Sequence, residues 1–256
     1  IQGLFPASKV EEVEDYNIFG AHGGYAGAYL SLAESSLLPL RTYREAEIDT
    51  FAPIISTLSK LDEVGEGGAI QLVAKPLPSR ARQKDWALEA VKRLQHGERL
   101  KEVLHSGYFA KKEAKEMVKT LLGFKGVKEN GEGIQDEDAI KAIQAKISRP
   151  LFTANVRVIA AGETHDAAED ALMAISGSFS QLASPIRNRL TPVAPRNLKK
   201  LLTEFAFRDY NESQALLLNT EEMASIFHLP IFSTDVPRIK WLKVREAPPP
   251  EDLPSE

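Results

Sequence analysis

The sequence predicts an α+β fold, a ferredoxin-like sandwich built from two strand-helix-strand halves. Residues 150–190 and residues 28–74 each show strand, helix and strand patterns in that order, and helical stripes fill the region between them. One such unit cannot bury its own apolar face, so the two halves are expected to complete each other. The predicted segments are a first half at 1–78, a helical insertion at 79–148, a second half at 149–218, and a capping helix with a Pro-rich linker at 219–256.

The second half carries the clearest pattern. Apolar and polar residues alternate over residues 152–158, which predicts a strand with one buried face and places Arg157 on the polar side. An apolar stripe over residues 168–182 predicts the following helix, with Thr164 as its N-cap and acidic residues in its first turn. Ser184 and Pro185 end that helix, and residues 186–193 are predicted to return as a strand.

The first half repeats this order. Residues 28–43 are apolar and predict one long kinked strand or a pair of strands. Asp49 and Thr50 are predicted to cap a helix over residues 51–61, with Pro53 tolerated in its first turn. A turn at residues 65–68 and a strand at 69–74 complete the unit.

The region before this unit is less regular. Residues 1–18 predict a short surface helix. Glycines at positions 20, 23, 24 and 27 surround His22 and predict a flexible turn, with a ligand-binding loop as the alternative. The turn is favoured because neither G-x-G-x-x-G nor a trailing Gly-Lys-Ser/Thr is present.

Helical stripes define the insertion, and local caps define the C-terminal third. The stripes lie at residues 87–94, 100–104, 114–121 and 139–147. Further on, residues 197–207 predict a helix, residues 213–218 a short strand, and residues 221–228 a helix capped by Asn219 or Thr220. With Asn219 as the cap, Glu222 is placed to reach back to it. Residues 245–254 are rich in proline and predict an extended linker.

The composition excludes several kinds of site. The 256 residues include no cysteine, so disulfides, thiolate metal sites and cysteine nucleophiles are excluded. The five histidines lack the i, i+4 spacing of a zinc helix, so no metal site is predicted. They are His22, His96, His105, His165 and His228. No Walker A sequence occurs, and we therefore predict no catalytic residues and no bound cofactor in this chain.

Length, charge and the first residue give broader expectations. A hydrophobic content of 43% suffices for a core, and a net charge of −4 argues against a wholly basic nucleic-acid protein. No apolar run is long enough to span a membrane. The chain begins with Ile, so we expect it to be a piece of a longer protein, with a linker at its other end.

One charge feature stands out. Residues 184–201 contain five cations and no Asp or Glu, which suits contact with phosphates or anionic lipid head groups. The cations are Arg187, Arg189, Arg196, Lys199 and Lys200. The alternatives are an edge strand protected by charge or a docking face for an acidic subunit. Trp86 and Trp241 are predicted to pack rather than to stack on bases, because no aromatic ladder accompanies them.

Three stretches in the C-terminal third resemble a known family. They are Leu218-Asn-Thr-Glu-Glu-Met-Ala-Ser-Ile-Phe-His-Leu-Pro230, Pro237-Arg-Ile-Lys-Trp-Leu242 and Arg245-Glu-Ala-Pro-Pro-Pro-Glu-Asp-Leu-Pro254. They look like the region just before the motor domain in type IV secretion and conjugative DNA-transfer ATPases. Residues 49–72, with Ser-Lys-Leu-Asp-Glu and Gly-Gly-Ala-Ile-Gln-Leu, are similar to the N-terminal region of the same proteins.

The resemblance implies a bacterial N-terminal domain for interaction and oligomerisation, at the inner face of the cell membrane. A P-loop motor is expected downstream, and ATP and Mg would bind there rather than here. The implied partners are other subunits of the same ATPase, membrane components of the transfer machine and single-stranded DNA, with no small-molecule substrate. A stand-alone nucleic-acid-binding module that uses the basic run is the alternative, and an enzyme would have only the glycine loop at His22 as its site.

Overall fold

The computed structural model describes residues 23–47, 49–61, 66–79, 81–105, 136–184 and 187–228. Within them the chain is a mixed α+β protein with one antiparallel sheet, which confirms the predicted class. The strands are β1 Gly24–Leu32, β2 Gly67–Pro76, β3 Leu151–Gly162, β4 Leu190–Val193 and β5 Leu216–Asn219. The helices are α1 Tyr43–Ala46, α2 Ala52–Leu58, α3 Arg82–Gln95, α4 Leu100–His105, α5 Asp136–Ile147, α6 His165–Gly177, α7 Leu198–Ala206 and α8 Thr220–Ile226.

The two strand-helix-strand units interleave in the sheet. The strand order is β2, β3, β1, β4, and each neighbouring pair is antiparallel. The central strand β3 pairs with β2 along one edge. Along its other edge it pairs with β1 near its C-terminal end and with β5 near its N-terminal end. Neither unit therefore forms a sheet alone, because a strand from the other unit separates its two strands.

The first face of the sheet carries the main core. Helices α2 and α6 pack there, with the 3-10 turn Ser178–Leu182 that follows α6. Thr164 accepts a hydrogen bond from Ala167 N at 3.2 Å, which confirms it as the N-cap of α6. Asp49 accepts from Phe51 N and Ala52 N at 2.8 and 3.1 Å, just before α2, but the N-cap position is Phe51 rather than the predicted Asp49 or Thr50.

The second face of the sheet is covered by α7. Leu201 and Phe205 pack on Ile159 and Ala69. The helix approaches β1 closely, since a Cβ added at Gly27 would lie 3.1 Å from Leu201 Cδ2 and 3.2 Å from Leu198 Cδ1. The prediction that β3 has only one buried face is therefore wrong. The alternation of polar residues predicts an exposed face, but Arg157 on that face is fully buried beneath α7.

The helical insertion forms a second core. Helices α3, α4 and α5 pack on Leu37, Leu38, Leu151 and Leu217, and Trp86 packs against this cluster as predicted. The predicted stripe at residues 114–121 lies outside the described residues. So do the helix at 1–18, Trp241 and the C-terminal linker.

Two predictions in the first half are wrong. Gly24 and Gly27 belong to β1 rather than to a turn, and an added Cβ at Gly24 would lie 2.3 Å from backbone atoms of His165. Close packing of α6 on the strand thus explains Gly24. Residues 33–42 are irregular rather than strand, because the Asn188 side chain bonds their backbone at Glu34, Ser35 and Leu38.

Candidate functional site

The basic run is divided between the two faces of the sheet. Arg187 forms an ion pair with Glu45 of α1, on the side of the main core. Lys199 and Lys200 lie in the first turn of α7, on the second face. Arg189 and Arg196 are both exposed, the first just before β4 and the second three residues after its end. The structure therefore does not bring the five predicted residues into one cluster.

Residues 218–228 carry part of the family resemblance and dock tightly on the domain. Asn219 accepts from Glu222 N at 2.9 Å, and Glu222 accepts in return from Asn219 N at 2.8 Å. This capping box confirms Asn219 as the N-cap of α8. Glu222 is also fully buried, so its carboxylate needs a cation or further hydrogen-bond donors in addition to the helix cap.

A buried ion pair joins this segment to the helical insertion. Lys146 Nζ lies 3.1 Å from Glu222 Oε1, and both side chains are almost completely shielded from solvent. The same carboxylate oxygen accepts from Leu40 N at 2.9 Å. Because a buried charge must be paired and hydrogen-bonded, these contacts make the α5 C-terminus, α8 and residues 33–42 depend on one another.

The outer side of α8 is held by further polar contacts. Glu221 Oε1 lies 2.6 Å from Arg44 and 2.7 Å from Arg149. Tyr43 N donates to Ser225 Oγ at 2.9 Å, and His228 Nε2 lies 3.0 Å from Asp49. Residues 218–228 are thus bonded to α1, to Asp49 before α2 and to Arg149 before β3.

A second buried cation holds the C-terminal end of α7. Arg157 donates to the carbonyls of Glu204, at 3.2 Å, and of Asp209, and to Gln71 Oε1 at 2.8 Å. Burial lowers the pKa of Arg157, while the carboxylates of Glu204 and Asp209 oppose that shift. The guanidinium remains charged at neutral pH, and a cation is favourable beside the negative end of a helix.

An open groove of about 550 Å³ lies beside this end of α7. It is lined by Lys200, Thr203, Glu204, Asp209, Tyr210, Asn211 and Glu212. The buried carboxylate of Glu204 already accepts from Asn211 Nδ2 at 2.8 Å and lies 3.6 Å from Arg157. The ring of Tyr210 is covered by Lys75 at 3.9 Å. The contacts of Glu204 and Lys75 hold α7 and the chain after it on the sheet, so these charges have a structural role.

Sequence reasoning missed the two buried cations. The position of Arg157 in its strand was a signal of burial. A charged residue in the middle of a twelve-residue strand is far from both exposed ends of that strand. Lys146 gave no such signal, because it follows the apolar stripe of α5 as an ordinary last-turn lysine does. Its burial depends on Glu222, which lies 76 residues away along the chain.

The described residues contain neither a cluster of metal ligands nor a membrane-spanning helix. No group of three or more metal-ligating side chains occurs there, and none of their helices is long and apolar enough to cross a membrane. The glycine segment near His22 falls partly outside the described residues.

Comparison with known proteins identifies a family. A family model described as "Domain of unknown function (DUF8128)" matches residues 1–242. Neither the curated proteins nor the solved structures contain a match to the chain. Since the family model spans nearly the whole sequence, the chain belongs to the DUF8128 family.

Proposed function

We propose that this chain is a non-catalytic interaction and oligomerisation domain of a bacterial type IV secretion or conjugative DNA-transfer ATPase. Its partners are other subunits of that ATPase and membrane components of the transfer machine, at the inner face of the cell membrane. ATP and Mg belong to the motor domain in this proposal, and no small-molecule substrate is involved. The starting point is the resemblance in residues 49–72 and 218–254.

The docking of residues 218–228 is the observation that supports the proposal best. The charged groups of this segment are engaged inside the domain, through the Lys146–Glu222 pair and through Arg44 and Arg149 on Glu221. A segment held in this way transmits the position of the domain to whatever follows His228 in the chain. That property suits a domain that positions a motor rather than one that performs chemistry.

The strand order supports the architecture that we propose for this domain. In a ferredoxin-like sandwich the four strands of two interleaved strand-helix-strand units run in the order found here, and the two crossover helices share one face. We propose that β1 to β4 with α2 and α6 form such a sandwich, to which β5, α7 and the helical insertion are added. Folds of this kind host many functions, so the fold alone does not select one.

Cross-linking and ATP turnover test this proposal. A photoreactive amino acid at Glu47, which is exposed, should capture a P-loop ATPase or a membrane transfer protein in the source cell. The same group at Ile143, which is buried, is the control and should capture neither. ATP turnover by the purified chain above background, or no transfer protein among the captured partners, would contradict the proposal.

A nucleic-acid-binding module is the second candidate. It is favoured by the exposure of Arg189, Arg196 and Lys199, which are available to phosphates. Arg187 and Lys200 contribute less in this reading, because each lies beside a carboxylate. Binding of this kind is electrostatic and falls as salt rises.

Charge reversal tests this candidate. Changing Arg189, Arg196 and Lys199 to Glu should remove binding to single-stranded DNA at low salt. The matched control is the reversal of three other exposed lysines, which changes the net charge equally. They are Lys60, Lys92 and Lys141. Equal losses in both variants would indicate non-specific attraction, and no binding by the unchanged chain would remove the candidate.

A further inference from the structure

The two edges of the sheet differ in their protection. At one edge, β4 has four residues, and Pro192 removes one of its backbone donors. At the other edge, β2 has ten residues, and it contains no charge and no proline from Gly67 to Ala74. A long uncharged edge strand is a ready surface for pairing with another strand. Within the described part of the chain, the longer of these two edges is therefore the unprotected one.

The register shows which backbone groups of β2 point outward. Leu77 N donates to Leu151 O at 2.9 Å, and the pairing of β2 with β3 continues this register. Hydrogen-bonded and non-hydrogen-bonded pairs alternate in an antiparallel ladder, so the odd-numbered residues of β2 bond to β3. The even-numbered residues turn their N–H and C=O groups outward. These are Gly68, Ile70, Leu72 and Ala74, and no backbone hydrogen bond joins them to another part of the described chain.

We propose that this edge binds the same edge of a second copy of the chain, so that two sheets join into one across a twofold axis at Gln71. This register pairs Ile70 with Leu72 of the second copy and Gly68 with its Ala74. It is the one that uses every outward-facing residue from Gly68 to Ala74. The proposal rests on β2 alone, so it stands whether or not the chain serves a transfer ATPase.

Side chains and charges suit this arrangement. Ile70 and Leu72 are only partly buried against the core, and pairing places them side by side across the axis on the same face. No like charges meet, since the paired stretch is uncharged. At each end Lys75 faces the uncharged Gly67 of the second copy, so its charge meets no like charge in this register.

Amide exchange of the unchanged chain tests the proposal. In the monomer, the inward amides of Ala69, Gln71 and Val73 should exchange slowly and the outward amides of Ile70 and Leu72 quickly. As the concentration rises, the outward amides should slow while sedimentation shows a dimer. A monomer whose outward amides are fast at every concentration would overturn the proposal. A monomer whose outward amides are always slow would do so as well, because the chain would then cover its own edge.

A pair of substitutions at Ala74 tests the same edge. Ala74 is exposed and its N–H points outward, so Ala74→Pro removes a donor that β3 does not use. We expect Ala74→Pro to raise the dimer dissociation constant at least about tenfold, whereas Ala74→Val keeps the donor and should change it little. Equal dissociation constants for the two variants would overturn the proposal. Should Ala74→Pro fail to fold, the exchange pattern of the unchanged chain decides.

Discussion

Arg208 adopts a left-handed backbone conformation, with φ of 56°, just after α7. Asp209 N donates to Glu204 O at 2.9 Å and Arg208 N to Phe205 O at 3.2 Å, a helix-ending arrangement that ordinarily places glycine at the left-handed position. We expect Arg208→Gly to raise the free energy of unfolding by about 0.5–1 kcal/mol, because glycine adopts this conformation without steric cost. Urea unfolding measures the change.

Arg208→Ala is the control for that substitution. It removes the same side chain but keeps a Cβ in the left-handed conformation, so it should give no gain in stability. A glycine variant no more stable than the alanine variant would contradict the backbone explanation.

Arg93 and Glu98 form a partly exposed charged pair at the end of α3. Arg93 Nε lies 2.9 Å from both Glu98 carboxylate oxygens, and its hydrogen bonds lower the pKa of Glu98. A carboxylate whose pKa is lower in the folded state stabilises the fold above its unfolded pKa of about 4.3. That contribution is lost as the pH falls through the folded pKa.

Carboxyl NMR titration of Glu98 checks this direction. We expect a pKa below the ordinary range, and Arg93→Gln should return it toward that range. Arg99→Gln is the control, because Arg99 is not among the groups that shift the pKa of Glu98. A Glu98 pKa that does not respond to Arg93→Gln would show that another interaction lowers it.

Single residues were predictable where their partners are close in sequence. Thr164 and Asn219 were identified as caps because each bonds a backbone N–H three residues on. Arg157 and Lys146 were not identified as buried, because their surroundings come from α7 and α8. Local chemistry is visible in the sequence, whereas burial of a charge depends on contacts that form only in the fold.

At the scale of elements, α7 depends on Arg157 for its position. Arg157→Met removes the cation that binds the last turn of α7 and leaves Glu204, which is mostly buried, without that partner. We expect a loss of about 3 kcal/mol in the free energy of unfolding, measured by urea denaturation. Arginine stays protonated near neutral pH, so we expect the loss at pH 6 and at pH 8 to agree to within about 0.5 kcal/mol.

Arg149→Met is the matched control for that substitution. Arg149 pairs with Glu221 at 2.7 Å but is 40% exposed, so its removal should cost less than about 1 kcal/mol. Equal losses of unfolding free energy in Arg157→Met and Arg149→Met would mean that burial does not make the Arg157 contacts more stabilising than an exposed ion pair.

Elements were predictable where their pattern was long and regular. The strands β2 and β3 and the helices α3, α6 and α7 follow their predicted positions, since each has a continuous stripe or alternation. Residues 33–42 and the glycines of β1 did not, because the Asn188 side chain and the close approach of α6 decide their conformation. The short strand β4 covers only the last part of residues 186–193.

At the scale of the whole molecule, the Lys146–Glu222 pair connects the insertion to the sheet. Lys146→Met leaves the Glu222 carboxylate buried without its cation, and we expect it to cost about 3 kcal/mol. Adding Glu222→Gln should recover part of this loss, since no unpaired charge then remains. A double-mutant cycle from urea unfolding measures the coupling.

If the losses in the free energy of unfolding for Lys146→Met and Glu222→Gln simply add, the two side chains are not coupled. Val103→Ala, in the insertion but away from the pair, is the control and should add to Lys146→Met without coupling. With the pair intact, the insertion and the sheet should unfold in one transition.

The topology of the whole sheet could be predicted only as a class. Two strand-helix-strand units and an insertion were visible in the sequence, and an antiparallel sheet joins them. The addition of β5 to β3 and of α7 to the second face was not visible, because neither element carries a local sign of where it docks. Those additions make β3 buried on both faces.

The proline in β4 limits how far assembly through the sheet can go. A filament joined through its sheets needs two edge strands on every subunit that can pair, and Pro192 disfavours pairing at β4 because it lacks a backbone donor. Among the described strands, two copies joined through β2 would then present only the four-residue strands β4 and β5 at their outer edges, so growth would stop at the pair. This protein would gain a defined partner without the hazard of endless polymerisation.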